Sequence, residues 1–228
     1  MSLKPLFIIS LIVFLLFSSG CSDDEEILNE VIHTEIFDTP VGAGSSSAAA
    51  PGDTYSFSFT ALPGQKLSFA SMYLRSNDLF FTPIEKGIHL FNEENEAVSG
   101  DITNRIILVD AGTEVNQVIG SGADQAHQQS SANSGGLDSD PLIRLYDGND
   151  QTETDRLIRV TLINDGDINF TLNIQVLTGA TTSLSPGIFV VFTGDNPIFS
   201  LGTVDRQQGL ETLAEDGDPT ELEAHLTP

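Results

Sequence analysis

The sequence predicts an all-β fold, an antiparallel β-sandwich with one or two short helices near the C-terminus. The first observation is residues 168–176, where apolar and polar side chains alternate for nine residues, as in a strand with one buried face. The second is a series of short apolar segments separated by Gly- and Pro-containing turns, which is typical of sandwiches. The third is that helical periodicity is confined to residues 205–226, where Leu210, Leu213 and Ala214 share a face.

Each strand is predicted from a short apolar or alternating segment. The predicted strands are residues 55–59, 67–72, 106–109, 142–146, 157–163, 168–176 and 188–192. In the sixth of them, the side chains predicted to point inward are Ile168, Phe170, Leu172, Ile174 and Val176. The seventh is apolar on both faces, which predicts a central strand. Residues 120–140 are rich in Gly, Ser, Gln, Asn and Asp, which predicts a long surface loop.

The charge of the chain excludes several classes of partner. Among 228 residues, 33 Asp and Glu stand against 9 Lys and Arg, which gives a formal net charge of −24. A chain this acidic repels phosphate backbones, so no nucleic acid is expected as a partner. Electrostatic adhesion to an anionic membrane surface is disfavoured for the same reason. The single cysteine, Cys21, excludes a disulfide framework and a cysteine-rich zinc site.

The first 20 residues are predicted to be a lipoprotein signal peptide. Lys4 precedes a predominantly apolar run over residues 5–17, which ends in Ser18-Ser19-Gly20-Cys21. The run has the length of a secretory signal and is shorter than the roughly 20 residues of a membrane-spanning helix. Small residues before a cysteine resemble a bacterial lipobox, which makes Cys21 the predicted lipidation site. The alternative is an ordinary signal peptide followed by an incidental cysteine.

An acidic segment follows Cys21. Asp23, Asp24, Glu25 and Glu26 are consecutive and have two interpretations. They are either a solvated spacer or a signal that resembles the acidic export signal of surface lipoproteins in one group of Gram-negative bacteria. The predicted organisation is therefore a signal peptide over residues 1–20, an acidic tether over 21–32, and a single sandwich domain over 33–228.

Strand ends carry the candidate binding residues. Asp78 follows the predicted strand 67–72, while Asp110 and Glu114 follow the strand 106–109 on either side of a Gly-containing turn. Carboxylates at strand ends can collect around a hard cation, or they can cap turns of their own backbone; the spacing leaves both interpretations open. The other Asp- and Gly-rich clusters lack the EF-hand spacing and are interpreted as turns. The sequence shows no nucleophile–base pair of the kind that would indicate an enzyme, so no enzymatic activity is expected.

Three strings in the first half of the chain resemble the spondin domain, the N-terminal domain type of F-spondin and mindin, which has a large bacterial branch. They are residues 63–72, 76–80 and 110–116. In the second half, residues 193–197 and 209–219 are similar to the bacterial branch. The resemblance touches most of residues 33–226. It implies an antiparallel sandwich with calcium at one edge, and the implied ligands are Asp78, Asp110 and Glu114.

The order of these segments differs from the family pattern. In the bacterial branch the segment like residues 168–226 precedes the segment like 33–163, whereas here it follows. The chain is therefore interpreted as a circular permutant of one domain, which sandwich architecture tolerates when the termini lie at the surface. The alternatives are two incomplete domains of a tandem array, or halves exchanged between protomers.

These observations lead to one functional hypothesis and one alternative. The hypothesis is an outer-membrane lipoprotein, displayed at the cell surface, that binds calcium and contacts an unidentified extracellular protein or glycan in adhesion or recognition. The alternative is a structural cell-envelope lipoprotein with no specific ligand or metal.

Overall fold

The computed structural model describes residues 28–84, 86–148 and 153–228. Its strands pair in two antiparallel sheets with a shared apolar core, so the predicted β-sandwich is confirmed. In chain order the strands are β1 (Glu30–Phe37), β2 (Thr54–Thr60), β3 (Lys66–Tyr73), β4 (Leu79–Pro83), β5 (Ile88–His89), β6 (Gly100–Asp101), β7 (Ile106–Asp110), β8 (Arg144–Leu145), β9 (Ile158–Gly166), β10 (Asn169–Val176) and β11 (Leu184–Thr193). The helices are α1 (Thr154–Leu157), α2 (Leu210–Asp216) and α3 (Thr220–Leu226), with a 3₁₀ turn at Thr103–Arg105.

Both sheets combine strands from the two halves of the chain. Sheet A has the order β1-β11-β3-β4-β7-β8, with β5 beside β3, and sheet B has the order β2-β10-β9-β6. Strand β10 pairs with β2 through Phe170 and Phe59, and β11 pairs with β3 through Phe189 and Phe69. The ring of Phe57 from sheet B stacks on that of Phe189 from sheet A at 4.3 Å between centroids, so aromatic packing joins the two sheets.

Sheet A is buried on both faces. One face packs against sheet B, and the other is covered by α2, α3 and the segment that contains Ile198 and Phe199. Successive residues of β4 show the division, because Phe81 belongs to the core between the sheets and Phe80 packs edge-on against Phe199 under the helices. Strand β11 lies between β1 and β3, as its apolar sequence predicted.

Several boundaries differ from the sequence predictions. Strand β1 begins at Glu30, inside the segment predicted as tether, because the backbone from Glu30 onward pairs with β11. Ile168 was predicted to point inward with β10, yet it is exposed because it precedes the strand, directly after the turn at Asp167. Strand β8 spans two residues, shorter than the predicted 142–146. Strands β1, β4, β5 and β6 were not predicted.

Helix α2 and helix α3 occupy the predicted C-terminal region. The apolar face of α2, formed by Leu210, Leu213 and Ala214, packs on the outer face of sheet A. Gly217 follows α2 with φ +71°, and its N–H donates to the Leu213 carbonyl, the left-handed termination that glycine favours. Helix α3 contacts β1, and Leu226 is buried in the same cluster as the α2 side chains.

Candidate functional site

The pairing of β4 with β7 brings two predicted site residues together. Leu79, the first residue of β4, lies opposite Asp110, the last residue of β7. Asp78 therefore sits beside Asp110 at one end of sheet A, and Glu114 follows in the loop after β7. Asp78, Asp110 and Glu114 are all buried, with no more than 2% of each residue exposed. The structure thus places all three predicted residues in one region, although they are up to 36 positions apart.

Asp78 holds the loop after β7. Its Oδ2 accepts hydrogen bonds from the backbone N–H groups of Thr113 at 2.9 Å and Glu114 at 3.1 Å, and from the Thr113 hydroxyl at 3.3 Å. Its Oδ1 is buried and has no hydrogen-bond partner among the described residues. Burial, together with the charge of Asp110, raises the pKa of the Asp78 carboxyl to about 7, against the hydrogen bonds that lower it. Asp78 therefore carries one satisfied oxygen and one free buried oxygen.

Asp110 is satisfied by the protein on both oxygens. Its Oδ1 accepts from the Gly112 N–H at 2.8 Å, which is the turn-capping arrangement considered as the alternative for this residue. Its Oδ2 accepts from Asn116 Nδ2 at 2.6 Å and from Arg144 Nη2 at 2.7 Å, and Arg144 also pairs with Asp138. Burial raises the pKa of Asp110, while the Gly112 N–H and Arg144 act to lower it. The turn-capping arrangement considered for Asp78 is not found, since its Oδ2 bonds to the distant loop instead.

Glu114 anchors the long loop that follows the site. Its Oε1 accepts from the Gly135 N–H at 2.6 Å and its Oε2 from Asn77 Nδ2 at 3.1 Å. A Cβ atom added at Gly135 would overlap the Glu114 carboxyl group, so only glycine allows the backbone this close. Burial raises the pKa of Glu114, against the lowering effect of the Asn77 and Gly135 hydrogen bonds. The loop over 120–140 contains no helix or strand, as predicted.

A fourth carboxylate in this region, Glu215 of α2, was missed by the sequence analysis. It is 2% exposed, and its Oε2 has no hydrogen-bond partner among the described residues. Burial raises the pKa of Glu215 to about 8, and the charges of Glu114, Glu211 and Asp78 add to the increase. The helical periodicity gave no signal, because Glu215 lies outside the face shared by Leu210, Leu213 and Ala214. Only the packing of α2 on sheet A reveals it.

The region as a whole is short of positive charge. Of the ion pairs formed within the described residues, only that of Arg144 with Asp110 involves one of the four buried carboxylates. Buried carboxylates that are close together repel one another unless protons or a cation neutralise them. The available donors are carboxylate, amide and hydroxyl oxygens, which suit a hard cation such as calcium. The fit of this region to a cation depends on two buried atoms, Asp78 Oδ1 and Glu215 Oε2, which have no hydrogen-bond partner among the described residues.

Two findings argue against a complete calcium site in this region. Within the described residues, no three or more His, Cys, Asp or Glu side chains converge in a geometry that could hold a metal ion. In addition, Asp110 and Glu114 already have protein donors on both oxygens. The arrangement is therefore a buried acidic cluster with two free oxygens, partly satisfied by loop backbone and by Arg144.

Comparison with known proteins gives no further assignment. The chain matches no protein-family model, no curated protein and no solved structure. Cys21 and the acidic residues 23–26 lie outside the described residues. No helix in the described part of the chain has the length and apolar character needed to cross a membrane.

Proposed function

We propose that this chain is a calcium-binding β-sandwich module, anchored to the outer membrane through a lipid on Cys21 and displayed at the cell surface for adhesion or extracellular recognition. The observation that carries the calcium proposal is the free oxygen of Asp78. Asp78 Oδ1 is buried in a region with three other buried carboxylates, and it has no hydrogen-bond partner among the described residues.

The physical reason is the cost of a buried, unpaired carboxylate oxygen. Such an atom loses its hydration without a compensating bond, which costs about 1–3 kcal/mol or more for a charged group. A calcium ion bound by Asp78, with Asp110 and Glu114 beside it, would supply positive charge at this end of sheet A. The protein's own residues would position the ligands: Thr113 orients Asp78, Gly135 and Asn77 orient Glu114, and Arg144 orients Asp110.

The location and partner class are proposed from the N-terminal sequence and from the resemblance to spondin domains. The signal-like residues 1–20, Cys21 and the acidic residues 23–26 support export, lipidation and display at the cell surface. The loops around the carboxylates would contact an extracellular protein or glycan. The net charge of −24 argues against nucleic acid as a partner.

A second function, a structural envelope lipoprotein without a metal, is favoured by a specific observation. Asp110 caps the Gly112 N–H and pairs with Arg144, and Glu114 accepts from Gly135 and Asn77. These contacts hold the loops without a cation. In this alternative, the carboxyl groups of Asp78 and Glu215 are neutralised by protons instead of a cation, since the pKa values of both groups are raised.

Calorimetric titration distinguishes the two functions. The full exported protein, purified and stripped with a chelator, is titrated with CaCl₂ in parallel with the Asp78→Asn and Asp147→Asn variants. Asp147 is exposed and lies beyond β8, so its variant is the matched control. We expect wild type and Asp147→Asn to bind with a Kd of about 10⁻⁴–10⁻³ M, the range of extracellular calcium modules, and Asp78→Asn to bind at least about tenfold more weakly, the equivalent of 1.4 kcal/mol. Absence of binding by the wild type would favour the structural lipoprotein.

A further inference from the structure

Both lysines that the sequence contains after residue 4 line the same cavity. Lys66 and Lys86 lie on a cavity of about 600 Å³, which we call the lysine cavity, and Asp195 is the single carboxylate among its described lining residues. Neither lysine forms an ion pair with any residue in the described ranges, although the chain carries 33 Asp and Glu. Burial lowers the pKa of the Lys66 ammonium, against the charge of Asp195, and the charge of Lys86 lowers it further. An excess of positive charge in one cavity of so acidic a chain indicates an anionic partner.

The ring of Phe192 holds the two lysines in place. Lys66 Nζ lies 4.8 Å from the centroid of this ring, a cation–π contact, and it donates a hydrogen bond to the Gly194 carbonyl. Gly87, which follows Lys86, packs so closely on the same ring that an added Cβ would overlap it. The fold therefore fixes the backbone beside Lys86 and the ammonium group of Lys66 against one side chain of β11.

The N-terminal end of the described chain is fixed beside the lysine cavity. The Leu28 carbonyl accepts a hydrogen bond from the Thr193 hydroxyl at 2.7 Å, and Asn29 Oδ1 accepts one from the Asp195 N–H at 2.8 Å. Asn29 also lines the cavity, and it packs on Gly194 so closely that an added Cβ would overlap the Asn29 side chain. The residues that precede Leu28 are therefore attached to the chain at the edge of the lysine cavity.

The nearest consecutive carboxylates before this point belong to residues 23–26, which end two positions before Leu28. Because an extended chain spans about 3.3–3.6 Å per residue, all four carboxylates are attached within about 20 Å of Leu28. Attachment to the same chain gives them an effective concentration of order millimolar at the cavity. Charge complementarity and proximity thus favour this segment over an anion that is free in solution.

We infer that the acidic residues 23–26 dock on the lysine cavity, where their carboxylates pair with Lys66 and Lys86. The inference does not depend on calcium binding, and it gives the acidic segment a role besides those of spacer and export signal. Lys66 begins β3 and Asp78 follows its other end, so the eight residues of β3, about 25 Å long, separate the lysine cavity from the carboxylate cluster. In a chain anchored at Cys21, docking turns the lysine cavity toward the membrane and the carboxylate cluster away from it.

Zero-length cross-linking tests this contact. A water-soluble carbodiimide joins a carboxylate to an amine only when the two are in contact, and Lys66 and Lys86 are the only lysines after residue 20. In the full exported protein, mass spectrometry of peptides should find residues 23–26 joined to Lys66 or Lys86 at about 0.01 M salt. The cross-link should be lost at about 1 M salt, where the Debye length falls to about 3 Å. Absence of the cross-link at low salt overturns the inference.

Cleavage by a glutamate-specific protease gives a second measurement. At low salt, the double variant Lys66→Gln, Lys86→Gln should be cut after Glu26 about fivefold faster than the wild type, the effect expected from the loss of two exposed ion pairs. Arg156→Gln is the matched control, since Arg156 pairs with Glu153 instead, and it should be cut at the wild-type rate. If the double variant does not fold, Lys86→Gln alone replaces it, because Lys86 is exposed. Equal rates in wild type and lysine variant overturn the inference.

Anionic lipid headgroups are the other source of negative charge near an anchored chain. Sedimentation with vesicles of phosphatidylglycerol and phosphatidylcholine distinguishes the two sources. If the wild type binds these vesicles through Lys66 and Lys86 and shows no cross-link from residues 23–26, lipid occupies the cavity and the inference is overturned. If vesicles bind only after residues 23–26 are replaced by Ser, the inference is supported, because the segment then competes with the headgroups.

Discussion

Asp78 and Thr113 are joined by a hydrogen bond of 2.9 Å from the Thr113 backbone N–H to Asp78 Oδ2, across 35 positions of sequence. The Glu114 N–H donates to the same oxygen, so a single carboxylate fixes the loop after β7. The other oxygen of Asp78 is left free among the described residues. Asp78 Oδ2 thus holds the loop, while Asp78 Oδ1 is available to a ligand.

Calcium should stabilise the wild-type protein. At free calcium ten times the Kd, linkage adds RT ln 11, or about 1.4 kcal/mol, to the free energy of unfolding, which for a domain of this size raises the Tm by about 3–5 °C. Differential scanning calorimetry with calcium or chelator measures the shift. Asp78→Asn should lose most of the shift, and Asp147→Asn should keep it. Equal Tm values with and without calcium in the wild type would contradict the site.

Gly135→Ala should destabilise the loop that holds Glu114. The added Cβ would overlap the Glu114 carboxyl group, so the backbone must move and the Gly135 N–H bond is strained, at an expected cost of about 1–3 kcal/mol in the free energy of unfolding. Gly136→Ala is the matched control, because a Cβ there meets no atom within 4 Å. Urea denaturation of the two variants measures the difference. Equal stabilities would mean that the Glu114–Gly135 contact does not form in solution.

Stability without calcium should fall as the pH rises from 5 to 8. The pKa values of Asp78 and Glu215 are raised in the folded state to about 7 and about 8, from 3.8 and 4.5. Between these limits the folded protein binds more protons than the unfolded chain. The stabilisation is therefore complete below about pH 4 and is lost as the pH rises through 7 and 8, with a slope of up to about 1.4 kcal/mol per pH unit for each group.

Urea denaturation at several pH values in chelator measures this slope. Asp78→Asn should flatten it between about pH 4 and pH 7, because one of the two titrating groups is gone. A stability that increases from pH 5 to 8 in the wild type would show that the two carboxyls titrate normally.

Cys21→Ser should abolish lipid attachment. The prediction follows from the short apolar run that ends in Ser-Gly-Cys. When it is expressed in a Gram-negative bacterium, the variant should accumulate as an unprocessed precursor or as a soluble exported protein. Membrane fractionation and mass spectrometry of the intact protein measure both outcomes. The same membrane fraction and the same mass change as in the wild type would rule out lipidation at Cys21.

The sequence predicted the sandwich because its strands carry local patterns. The alternation of residues 168–176 follows from one buried face, and the apolar run in β11 follows from its central position in sheet A. Strand β4 was missed since its short run, Leu79–Pro83, is buried on both faces and has no alternation. Strand β1 was missed because its burial is uneven, with polar residues at several intermediate positions.

The candidate site was only partly predictable for a different reason. Asp78, Asp110 and Glu114 were selected from the sequence because they follow predicted strands and because their strings resemble the spondin domain; their role as ligands stays a prediction. Glu215 reaches the site through the docking of α2, a tertiary contact that no local pattern encodes. The pairing of Arg144 with Asp110 is equally non-local, since 34 positions separate them. The circular order of the spondin-like segments stays a prediction.

The placement of β10 and β11 has a consequence for how the chain acquires its structure. Strand β11 lies between β1 and β3 in sheet A, and β10 lies between β2 and β9 in sheet B. Until residue 193 is available, β1 has no sheet to join, because among the described residues its strand partner is β11. Pairings this distant in sequence form slowly. Strands β3, β4 and β7 can therefore pair early, within residues 66–110, whereas β1 and β2 must wait for the last two strands before either sheet is complete.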